Sequence, residues 1–177
     1  MSYLQSVSTQ DATGDVAAVY QEITAAFGGV PAIIQLWSVS PFHLRQQWEF
    51  IKNSMQNERL SGAFQPVMRM TVAQETSCDY CIDMNAGMLI NMFGWSMEQV
   101  AATKDNPAHA NLDDSQKAIL LFVLKAVKDS KSITQADIDA LHALDYSDQD
   151  IFEAAAMGTR MIGGDLLSNI FHVERDF

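Results

Sequence analysis

The segment LSGAFQPVMRMTVAQETSCDYCIDMNAGMLINMFG, Leu60 to Gly94, decides how this chain is read. Val67, Met70, Thr71 and Gln74 fall at helical spacing, which predicts a helix with Pro66 in its first turn or kinking it. A second helix is predicted from near Ser77 to Met92 or Phe93, ended by Gly94. At its start sit Cys78 and Cys81, the chain's only two cysteines, in C-x-x-C spacing. Residues three apart occupy neighbouring positions on one helical face, so their sulfurs can reach bonding distance with little backbone movement. A helix start also offers unpaired N–H groups and the positive end of the dipole. Both favour a thiolate, the reacting form of cysteine. Such a pair can cycle between dithiol and disulfide, one sulfur attacking and the other resolving.

Outward from this core the chain reads as helices throughout. Towards the N-terminus, DVAAVYQEITAAFGG carries Val16, Ala17, Val19, Tyr20, Ile23 and Phe27 near helical spacing and stops at Gly28 and Gly29. Pro31 opens a short helix, PAIIQLWSV, and Pro41 opens the next, in which Phe42, Leu44, Trp48 and Ile51 give one apolar side. Towards the C-terminus, Ser96 and Gln99 stand in capping-box spacing. DNPAHANLDD, Asp105 to Asp114, is the clearest loop. Three helices follow: SQKAILLFVLKAVKDS; SITQADIDALHAL, capped by Ser132 or Thr134; and SDQDIFEAAAMGTRMIGGDLLSNIF, with Ser147 three residues before Asp150. Gly163 and Gly164 inside the last predict close backbone contact or a kink. No alternating run argues for a strand. One all-α domain over residues 1–177 is expected, divided into N-terminal helices (1–58), a cysteine-pair core (59–104) and C-terminal helices (112–177).

Composition bounds the function. The chain holds 22 Asp plus Glu against 11 Lys plus Arg, a formal net charge of −11. Nucleic acid and anionic lipid both require a basic surface, so neither is an expected partner. Hydrophobic residues at 48% and charged residues at 19% fit a globular fold. No run is apolar for the roughly 18 residues that a bilayer span needs. The N-terminal stretch lacks a basic start followed by an apolar core, so no signal peptide is expected and the expected location is cytoplasmic. In a reducing cytosol, a close thiol pair is more often functional than structural.

The pair has competing readings. Buried thiols pack as small hydrophobes. A structural zinc site needs four ligands, and only two thiols exist here, with His43, His109, His142 and His172 scattered singly. A thioredoxin-type domain expects strands beside the motif. A thiol redox site on an all-helical scaffold is the favoured reading.

The Leu60–Ile90 stretch also resembles the core of the alkylhydroperoxidase D-like branch of the carboxymuconolactone decarboxylase family. FGGVPAIIQLWSVSPFHL resembles that family's entry, and ITQADIDALHALDYSDQDIFEAAA its C-terminal segment. The resemblance implies an AhpD-like helical bundle that forms a homo-oligomer (dimer, trimer or hexamer). It also implies peroxidase or disulfide-reductase chemistry with no metal or organic cofactor, and a small hydroperoxide or a disulfide-bearing redox protein as partner. By resemblance Cys81 is the attacking sulfur and Cys78 the resolving one.

Two positions depart from the family's pattern. Asn85 stands where the family has a relay histidine, and Pro66 where redox-active members have a relay glutamate. Asn85 shares a helix face with Cys81 and can donate a hydrogen bond to a thiolate, but it cannot exchange a proton near neutral pH. Losing a general base costs about 10²–10⁴-fold in rate, so weak peroxidase activity or another thiol role is expected. Glu75 is the candidate substitute, a solvated surface charge being the equal alternative, and Tyr80 a candidate hydrogen-bonding group within the site, packing being the plainer reading.

Asp79 is expected to face solvent. Met84, Met88 and Met92 share a side with Cys81 and are candidate lining for an apolar pocket, packing being the plainer alternative. Arg160 and Asp165 are expected to pair across the double glycine. Beside the oxidoreductase stand two alternatives: a non-catalytic helical oligomer that binds or scaffolds, and a decarboxylase or isomerase acting on a lactone acid.

Overall fold

Helices account for all the regular structure among the described residues, 2–177 of the computed structural model, as the sequence predicts. Met1, the first residue of the expected domain, lies outside them. The α-helices are α1 (Gly14–Phe27), α2 (Ala32–Trp37), α3 (Pro41–Ser54), α4 (Phe64–Glu75), α5 (Asp79–Phe93), α6 (Met97–Asp105), α7 (Asp114–Lys128), α8 (Gln135–His142) and α9 (Asp148–Phe171). Single 3₁₀ turns at Glu58–Leu60, Pro107–His109 and Ser130–Ser132 punctuate the connections. No described helix is long and apolar enough to cross a membrane.

The chain divides into two compact units, one of residues 1–53 with 167–177 and one of residues 54–166. In the first, α1 turns Val16, Val19, Tyr20 and Ile23 inward against Val30, Leu44 and Trp48. Gly28 ends α1 in the left-handed conformation (φ 80°), its N–H bonded to the Thr24 carbonyl. The apolar side expected of α3 is narrower than its sequence implies. Leu44 and Trp48 are buried and Ile51 packs beside them, but Phe42, in the first turn, is 65% exposed.

The second unit is built around α4, which packs on α5, α6 and α7. Phe64, Val67, Met68, Met70, Thr71, Val72 and Ala73 are all buried, so α4 is enclosed on nearly every side. Pro66 is its third residue, where a missing N–H removes no helical bond. The caps fall where the sequence puts them. Ser96 and Gln99 cap α6 reciprocally. The Asp137 carboxylate accepts the N–H and O–H of Thr134 at the start of α8. Asp150 and Ser147 exchange bonds at the start of α9.

The double glycine does not mark a close approach. A Cβ added at Gly163 or Gly164 would meet nothing within 4 Å, and α9 runs through both. The close approach lies one turn and a half earlier, where a Cβ on Gly158 would stand 2.5 Å from Val123 Cγ1 of α7.

Candidate redox site

The site is built at the joint between α4 and α5. Thr76 caps α4, and Ser77 then adopts a left-handed backbone (φ 53°). The Ser77 N–H bonds to the Gln74 carbonyl, and the Cys78 N–H reaches back to the Ala73 carbonyl at 3.1 Å. This is the double closure of a helix C-terminus, with serine at the position glycine usually occupies. Cys78 is also the N-cap of α5, where its Sγ accepts the Cys81 N–H at 3.4 Å. One residue therefore closes one helix with its backbone and opens the next with its side chain.

Cys78 and Cys81 are joined in a disulfide, their Cα atoms 5.3 Å apart. The predicted juxtaposition on one turn is met. Both residues are shielded, Cys78 at 0% exposure and Cys81 at 2%. Cys78 Sγ thus sits against the Cys81 N–H at the positive end of α5, a position that favours a thiolate over a thiol.

Asn85 is fully buried one turn along α5. Its amide is bonded at both ends. Nδ2 donates to the Cys81 carbonyl at 2.8 Å, and Oδ1 accepts from Arg69 Nε at 2.9 Å. Arg69 of α4 also reaches Gln65 Oε1 at 3.5 Å, and burial pushes its guanidinium down to about 10. Asn85 thus fixes the first turn of α5 to α4 and donates to a backbone carbonyl, not to a sulfur. Tyr80 is buried, in keeping with packing, and Asp79 is exposed, as expected. Glu75 has the surroundings of a surface charge. It is exposed and sits 3.7 Å from Lys128 Nζ. Of the methionine stripe, Met84 and Met88 are half-buried and Met92 is 60% exposed.

The acid that does face the sulfurs is Asp165 of α9. A carboxylate oxygen and the two Sγ atoms lie within 4.8 Å of one another. Asp165 is fully buried. It forms no ion pair with Arg160, contrary to expectation: Arg160 is exposed, and Asp165 accepts from Thr76 Oγ1 at 2.9 Å through Oδ2. Oδ1 has no partner. Burial pushes the carboxyl up to about 7, against the smaller opposing effect of the Thr76 hydroxyl. Thr76 and Asp165 lie 89 positions apart, so no local motif joins them. The available signal was an acid set among apolar residues in MIGGDLLSNIF.

Cys78, Cys81 and Asp165 form the one group of potential metal-binding side chains among the described residues. Three donors fall short of a closed tetrahedral zinc set, and the two sulfurs are bonded to each other. The arrangement suits electron and proton exchange at sulfur.

No family model matches the chain, and no curated protein matches it. Solved structures do. A structure described as an alkylhydroperoxidase AhpD core, a peroxidase-related protein from Ralstonia eutropha, superposes at a TM-score of 0.84 with 19% identity, covering 99% of this chain and 92% of that one. A peroxidase-related protein from a Silicibacter species gives 0.82 at 19% identity with the same coverage. The backbone likeness shows the fold: this chain adopts the AhpD-like all-α fold that its sequence resembles.

Proposed function

We propose that this protein is a thiol-dependent oxidoreductase that reduces a small hydroperoxide, or the disulfide of a redox partner, through Cys78 and Cys81. The observation carrying the reading is the disulfide at the first turn of α5, with a buried carboxylate against both sulfurs. As the resemblance implies, Cys81 is assigned the attack. Its thiolate bonds to one peroxide oxygen as the O–O bond breaks, giving a sulfenic acid and an alcohol. The Cys78 thiolate then displaces hydroxide from that sulfur, forming the disulfide, and the proton given up by the Cys78 thiol turns the hydroxide into water. Two electrons pass from the dithiol to the peroxide, and an external dithiol returns them by exchange. The position of Cys78 supports this order, since a thiolate favoured by the helix start both attacks the sulfenic acid and leaves readily on reduction.

The homo-oligomer implied by the resemblance belongs to the same proposal. Phe42, Met97 and Phe152, exposed at 65%, 74% and 74%, are apolar surface available to another copy. The competing reading, a non-catalytic oligomer, draws on the shielding of both cysteines. Peroxide consumption with dithiothreitol as reductant separates the two. Wild type should turn over and Cys81→Ser should fall to background; equal rates in both would leave the binding protein as the better reading.

A further inference from the structure

We propose that Asp165 carries the protons of the cysteine pair, taking one from a thiol as its sulfur is oxidised and delivering it to the departing oxygen. The inference rests on the redox reading above and deepens it.

Geometry and bookkeeping of hydrogen bonds both point to this residue. Asp165 is fully shielded from water, within 4.8 Å of both sulfurs, with one oxygen satisfied by Thr76 and the other orphaned. A buried oxygen without a donor is costly, and such groups call for an explanation. The disulfide supplies no donor; the dithiol supplies two S–H groups, on sulfurs that lie within 4.8 Å of an oxygen of this carboxylate. Reduction therefore brings hydrogen-bond donors to a carboxylate that lacks one in the oxidised state.

The residues at the relay positions cannot do this work. Pro66 has no proton to exchange, and the Asn85 amide is bonded to the Cys81 carbonyl and Arg69. Among the described residues, the His, Cys, Asp and Glu side chains clustered with Asp165 are Cys78 and Cys81 at the start of α5; Thr76 at the end of α4 contributes a hydroxyl. On α9 itself the nearest charged residue is Arg160, which is exposed. No cation therefore holds the carboxylate permanently ionised, and burial brings its proton affinity to about 7, where a group both accepts and donates efficiently.

The protons balance. Oxidation of the dithiol by a hydroperoxide releases two thiol protons, one to the alkoxide leaving from the O–O bond and one to the hydroxide leaving from the sulfenic acid. Asp165 passes each in turn and ends as it began. Reduction by a dithiol runs the same transfers backwards at sulfur.

The test compares wild type, Asp165→Asn and Thr76→Val in two assays across pH. One is kcat/KM for hydrogen peroxide with dithiothreitol; the other is alkylation of the reduced protein by iodoacetamide, which needs no turnover. Asp165→Asn should lower kcat/KM by about 10²-fold or more and remove the lowest-pH inflection from both profiles. Thr76→Val should move that inflection to higher pH, because the hydroxyl favouring the ionised carboxylate is gone. Profiles unchanged in both variants overturn the proposal, as does a loss of rate with an unaltered profile, which marks a structural role. If Asp165→Asn does not fold, Thr76→Val decides. If wild type turns over no faster than Cys81→Ser, the redox reading fails, and the alkylation profiles still decide the role of Asp165.

Discussion

At the scale of single residues, the buried carboxyl of Asp165 makes stability depend on pH in a direction opposite to the common one. Its affinity for a proton rises from the usual 3.8 to about 7 on folding. Between those values the native state binds the proton more tightly than the unfolded chain, so stability is full below about pH 4 and falls as pH rises to about 7. The size is at most about 4 kcal/mol. Glu22 and Asp137, each lowered to about 2 by bonds to lysine and other donors, act in the reverse sense and in a separate window below about pH 4. Urea unfolding of the oxidised protein, whose cysteines do not titrate, should show stability decreasing from pH 5 to pH 8, and Asp165→Asn should flatten that slope. A rising slope, or an equal slope in the variant, contradicts the assignment. The cysteine pair was legible because its two members lie within one helical turn. Asp165 was not, because its partners come from helices far away along the chain, and a sequence window holds only its apolar neighbours on α9.

At the scale of elements, caps and glycines decide how the helices join. The boundaries were legible because capping is local: Ser96 with Gln99, Thr134 with Asp137 and Ser147 with Asp150 each lie within one turn. Which glycine serves an approach between helices was not, since that depends on a partner helix. Ala at Gly158 would push into Val123 Cγ1 at 2.5 Å and Val127 Cγ1 at 3.2 Å, and such overpacking costs about 1–3 kcal/mol. Ala at Gly163 meets nothing within 4 Å and gains up to about 1 kcal/mol of helix propensity. Thermal unfolding should therefore move down for Gly158→Ala and up for Gly163→Ala; the opposite order would reject the packing described for α7 and α9. Ser77 holds a left-handed backbone at the joint before Cys78, which costs a non-glycine residue roughly 1–2 kcal/mol. Ser77→Gly relieves that cost but loosens the unfolded chain, for a net gain of about 0.5–1 kcal/mol. A higher urea midpoint at unchanged slope is the expected result.

At the scale of the whole molecule, charge and shielding govern what reaches the sulfurs. A formal charge of −11 repels anions over a distance set by salt, about 10 Å at 0.1 M. At subsaturating concentrations an anionic reductant should work faster as salt is added, while neutral dithiothreitol should be insensitive; salt slowing the anionic reagent would show that a local basic surface outweighs the total. The fold class was legible at this scale from helical periodicity and the absence of alternating runs, whereas the near-complete enclosure of the pair depends on how α4 and α5 are covered and is written in no single segment. That enclosure has a kinetic consequence. On the proposed redox function, a couple with 0% and 2% of its surface open should exchange electrons only when the chain around it opens. Past a certain oxidant concentration, added reagent should then merely queue, and throughput should settle at the frequency of the protein's own breathing.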